Sequence, residues 1–248
     1  MVSDTLRFLI LSEDSGAHAT EVVWKLLLNL LRQVRRDFRE DRLLHVPLVA
    51  DASRLVYANL WKSDRANHNQ LVALTRELAT ILVDEKGWVV WHIDGDCTWS
   101  EHTSNDPLKL TLQKFDHVIK ERVRNQLRRQ KPDMAEDAID VCLNKLILLR
   151  PHYSIEAWLY QAIDPLLKLY VTNGQSSHPD TIQLREVYQH DPSSLEEVPK
   201  IKDKFWVRSA FNLELASHVK GQVLQNAQKS LAQAVQDLKQ APGLLAAL

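Results

Sequence analysis

Cysteine is almost missing from this chain, with Cys97 and Cys142 its only two. They lack the paired spacing of a zinc cluster, and two residues cannot build a disulfide framework. No apolar run approaches the roughly 18 residues that span a bilayer. No signal-peptide pattern opens the sequence, so a cytoplasmic protein with no membrane partner is expected. An excess of either charge is missing as well. Lys and Arg number 31 against 32 Asp and Glu, a formal net charge of −1. With no global basic field, any phosphate binding has to be local. Internal repeats are absent. What remains is a chain of 248 residues, 45% hydrophobic and 25% charged, with material for a sizeable core.

The most informative stretch is Gly87-Trp88-Val89-Val90-Trp91-His92-Ile93-Asp94-Gly95-Asp96. Its apolar residues do not alternate with polar ones, which fits a strand covered on both faces, and Gly95 breaks the run where the chain must turn. In an α/β sheet, ligands gather at the carboxyl ends of such strands. Two carboxylates a residue apart repel by about 4 kcal/mol at ~4 Å for an effective dielectric near 20. A divalent cation such as Mg²⁺ would relieve that, and Asp94 and Asp96 are its candidate ligands. The alternative is that both acids cap the following turn. His92 and His102 are each a candidate acid or base or an ordinary structural histidine.

The rest of the chain alternates in the same way. Leu6 to Leu11 reads as a strand ending in Ser12-Glu13-Asp14-Ser15-Gly16, and residues 18 to 38 carry helical spacing. A weaker strand near 45 to 50 is interrupted by Pro47, which suits a sheet edge. Residues 69 to 85 are helical, 108 to 130 form a long helix with a basic second half, and 145 to 149 make a fourth strand. Ser154 is placed to cap the next helix, with Glu156 in its first turn, where the helix dipole favours an acid whatever its role. Residues 191 to 204 read as a linker, and 210 to 219 and 223 to 238 as terminal helices. Alternating strands and helices predict an α/β fold with about four mostly parallel strands and helices on both faces.

Glu13 after the first strand, the Asp94-x-Asp96 pair after a later one, and Arg150-Pro151-His152-Tyr153-Ser154-Ile155-Glu156-Ala157-Trp158-Leu159 beyond them carry a resemblance. Together they resemble the Toprim family, in particular the small single-domain Toprim-like proteins of bacterial defence loci related to the nuclease domain of OLD-type (overcoming lysogenization defect) enzymes. The pattern departs in one place: the family has glycine directly after the glutamate, whereas Asp14-Ser15 precedes Gly16 here. The resemblance implies a Toprim-like catalytic core over 1–170 and a helical C-terminal extension over 171–248 packing on it. It implies a nuclease using Mg²⁺ or Mn²⁺, with Glu13, Asp94, Asp96 and Glu156 as catalytic and metal-binding residues. It also implies a nucleic-acid substrate, a role as an anti-phage defence effector, a partner ATPase and a possible homo-oligomer. The alternative is a catalytically inactive Toprim-fold interaction or regulatory subunit, and convergence of the four acids is what separates the two.

Overall fold

A computed structural model describes residues 5–14, 18–48, 50–62, 67–96 and 107–248. Ser15, Gly16, Cys97 and His102 lie outside them, as does the polar stretch 97–106. Four strands form one sheet: β1 (Leu6–Ser12), β2 (Leu43–Val46), β3 (Gly87–His92) and β4 (Leu146–Leu149). They pair in the order β2-β1-β3-β4, and all three pairings are parallel. The expected α/β architecture is therefore present. β2 is an edge strand, but it runs earlier than 45 to 50 and stops at Val46. Pro47 has no amide to donate to a ladder, which ends the pairing there.

Every residue of β3 is buried. The reason its sequence does not alternate is that each face of the sheet carries its own core. Phe8, Ile10, Trp88 and Val90 point to one side, and Leu9, Leu11, Val89 and Trp91 to the other. Gly87 starts the strand because a Cβ there would sit 1.9 Å from the Ile81 carbonyl oxygen. Only glycine permits so close an approach of two backbones.

Helix α1 (Ala19–Val34) packs its leucines on the first face. The second face is covered by α2 (Ala50–Tyr57), α3 (His68–Val83), α4 (Pro107–Phe115), α5 (Glu121–Gln130) and α6 (Glu136–Leu143). The expected helix from 108 to 130 is helical throughout but contains one wide π turn at Asp116–Lys120. That turn keeps Val118 and Ile119 facing the core. In the basic half of this segment, Arg124 and Arg128 are engaged by the acids of α6: Arg124 reaches Asp140 at 2.7 Å, and Arg128 reaches Glu136 at 2.8 Å.

The chain then returns to the first face with α7 (Ile155–Leu159), α8 (Ile163–Thr172), α9 (Pro179–Gln183), α10 (Ile201–Lys204), α11 (Asn212–His218), α12 (Gln222–Gln225), α13 (Lys229–Gln240) and α14 (Leu244–Ala247). Residues 191 to 204 are not a linker. Pro192–Glu197 forms a 3-10 turn and α10 follows, with Leu195 and Ile201 fully buried in the core that α1 shares with α11 and α13. The expected helix over 223 to 238 is split in two. The buried Glu196 carboxylate accepts from the Ser230 amide at 2.9 Å, which fixes the start of α13 at that point.

Candidate metal centre

The site is assembled where β1 and β3 lie side by side with their carboxyl ends together. Ser12 is in register with His92. In this strand order the connections leave β1 toward β2 on one side and continue to β3 on the other, so the β1/β3 gap is the topological switch point. Beyond its strand, the β3 chain keeps bonding to the β4 side. Ile93 donates to the Leu149 carbonyl at 3.0 Å, Gly95 to Pro151 at 3.0 Å and Asp96 to Tyr153 at 3.2 Å. Gly95 is obligatory here, since a Cβ would meet the His152 carbonyl oxygen at 2.2 Å. The intervening Asp94 amide turns to the β1 side and donates to Glu13 Oε2 at 2.9 Å.

Asp14, His92 and Asp94 each offer a ligand atom within 4.8 Å of the other two. The imidazole of His92 is wholly buried; Ser12 Oγ lies 3.3 Å from Nδ1, and Asp94 Oδ1 lies 2.9 Å from Nε2 at an angle poor for a hydrogen bond. Burial opposes charge on this ring, but the carboxylates of Asp94, Asp14 and Glu13 reverse that and hold its pKa up at about 9. Burial likewise lifts Asp94, only partly offset by His92, and Asp14 and Glu156 add repulsion, leaving it at about 6. Asp94 also serves the backbone, since its Oδ1 accepts from the Ile155 amide at 3.1 Å. It thus satisfies the first turn of α7, a role expected of Ser154, whose hydroxyl has no partner among the described residues.

The four acids named by the resemblance part company. Glu13 reaches Asp94 through the backbone amide of that residue, and its other oxygen takes the Asn59 side-chain amide with Lys62 Nζ 3.6 Å away. Asp96 is solvent-exposed, at a left-handed φ of 53°, and stands outside the cluster. Glu156 is buried, with Oε1 accepting from Asn212 at 3.1 Å and Oε2 without a donor among the described residues. Asp14 and His92 join Asp94 instead. Asp14 was visible in sequence only as part of the acidic run after β1; its convergence with His92 depends on register.

A serine, a histidine and an aspartate in line also suggest nucleophilic catalysis. Ser12, however, is buried, and its hydroxyl accepts the Asp14 amide at 3.2 Å. The contact therefore orients the imidazole. The fold and site define an α/β protein with an all-parallel sheet and an acid-histidine cluster at its switch point. Comparisons with protein-family models, curated proteins and solved structures give no match.

Proposed function

We propose that this protein is a divalent-metal-dependent phosphodiester hydrolase acting on nucleic acid, with Asp14, His92 and Asp94 as the residues that would hold the cation. The observation supporting this most directly is the convergence of those three side chains at the switch point of the sheet. The donor set fits a cation. Two carboxylates repel in a site where Asp94 is already desolvated, and the imidazole nitrogen shifts preference from Mg²⁺ toward Mn²⁺. Such a cation, when bound, polarises a phosphoryl oxygen and lowers the pKa of a bound water. Ser12 holds the imidazole in position, and Glu13 fixes the Asp94 main chain. His92 has to release a proton before it can ligate, so proton and cation compete for the site.

A non-catalytic interaction subunit is the second reading, favoured by Glu13, whose carboxylate is already occupied within the protein. Titration of Mn²⁺ and Mg²⁺ against supercoiled DNA and bulk tRNA separates the two. Metal-dependent cleavage is expected, and Asp14→Asn and Asp94→Asn should each lower it by more than the roughly 10 to 100-fold typical of residues that only support ligands. Asp96→Asn should keep most of it. Loss with Asp96→Asn but not with Asp14→Asn would return the ligand set to the one the Toprim resemblance implies. Absence of cleavage with either metal would leave the interaction subunit.

A further inference from the structure

A cavity of about 370 Å³ opens beside the cluster, between the carboxyl ends of β1 and β2, the first turn of α1 and the end of α2. This is the size of a small-molecule site. Asp14 belongs to both, and Ser12, which also lines the cavity, lies 3.3 Å from His92 Nδ1, so anything filling the cavity lies beside the proposed metal centre.

The lining specifies what that occupant is. Its polar groups include Asp14, Glu21, Thr20, His45 and Tyr57, and among the described residues no lysine or arginine lines it. A phosphate or carboxylate would meet two acids with no cation to offset them. Burial keeps the His45 imidazole below its ordinary pKa, opposed by Glu21, and Trp24 stacks on the ring with centroids 5.6 Å apart. His45 is thus a fixed ring with little charge. Apolar walls such as Leu48 and Val56 suit a flat, neutral group, and the half-exposed Tyr57 stands at the mouth. Glu21, oriented by a 3.2 Å hydrogen bond from Thr20, offers acceptor oxygens to hydrogen-bond donors. A ligand that is planar, neutral, rich in donors and attached to a phosphate held next door is a nucleobase.

We propose that this cavity holds a single unstacked nucleobase bearing an exocyclic amino group, flanking the phosphate at the Asp14/His92/Asp94 cluster. This rests on the phosphodiesterase reading for the neighbouring phosphate. Carboxylates accept from amino groups such as cytosine N4, whereas thymine and uracil present carbonyl oxygens on both sides of their single N–H, which the acids repel. The base has to leave its stack, either in a single-stranded substrate or by extrusion from a duplex.

The test has two arms. In equilibrium dialysis with chelator present, adenosine, cytidine, thymidine and uridine are the probes. The expected result is saturable binding of adenosine or cytidine about tenfold tighter than of thymidine or uridine, since a hydrogen bond to a charged group supplies at least that difference. Glu21→Gln should narrow the gap, and Thr20→Trp, filling the mouth from a partly exposed position, should abolish binding with an unchanged thermal melt. Should Thr20→Trp fail to fold, Tyr57→Ala serves for the mouth, with weakened binding expected. The second arm follows Mn²⁺-dependent cleavage of deoxy and ribo homopolymers beside the base-free diester bis(p-nitrophenyl) phosphate. Cleavage favouring the amino-bearing homopolymers supports the proposal. Nucleoside binding without cleavage of any diester sinks the hydrolase reading and leaves the base site standing. Cleavage of all homopolymers at equal rates, or no nucleoside preference in dialysis, overturns the base site.

Discussion

At the scale of single residues, His92 carries the largest consequence. Its folded pKa of about 9 lies above the ordinary 6.5, and Asp94 at about 6 lies above 3.8. Both groups therefore hold protons more tightly in the folded chain. The contribution from His92 is fully present below pH 6.5 and is lost as pH rises through 9; the one from Asp94 is lost between about 4 and 6. In chelator, the wild-type protein should lose on the order of 3 kcal/mol of stability between pH 6.5 and 9. His92→Gln should flatten that slope, as read by urea melts across the range. Parallel profiles for the two proteins would mean the imidazole is not charged in the fold. Glu156 repels a negative charge on Asp94 and so adds to the field that favours a proton or a cation at that carboxylate.

At the scale of elements, two helix starts are set by acids distant in sequence. Asp94 takes the Ile155 amide of α7, and Glu196 takes the Ser230 amide of α13 together with a 3.0 Å hydrogen bond from Gln161. Burial raises the pKa of Glu196, and these donors work against that rise. Glu196→Ala would leave buried amides without acceptors, at about 1 to 3 kcal/mol each when unmade. A loss of about 2 to 4 kcal/mol is expected, measured by urea unfolding. A change below about 0.5 kcal/mol would mean water replaces the carboxylate without cost.

At the scale of the whole molecule, the first-face core runs from β1 and α1 through α7 to α13 and α14. Trp88 and Trp158 belong to it, whereas Trp61 and Trp91 report on the opposite face. Because one sheet backs both cores, tryptophan fluorescence and far-ultraviolet circular dichroism should unfold together in denaturant. Two separated transitions would mean that the helices beyond residue 170 are a unit of their own.

The sequence by itself determined the α/β class, the presence of four strands and the identity of β3 as a strand buried on both faces, though not the bounds of β2. Those features follow from local apolar runs and from Gly87, whose close neighbour Ile81 is only six residues away. It also pointed to the carboxyl ends of β1 and β3 as the place where acidic side chains gather. Which acids meet there was decided only by tertiary structure. Parallel register sets Ser12 against His92, the close approach of Gly95 to residues 151 and 152 fixes the β3 tip, and the Glu13 carboxylate is drawn to the Asp94 amide. Asp14 is then left to join His92 and Asp94, and Asp96 turns outward to solvent. The apparent linker at 191 to 204 misled for a related reason. Its prolines and charges are local signals, whereas the burial of Leu195, Glu196 and Ile201 is supplied by helices packed from elsewhere in the chain.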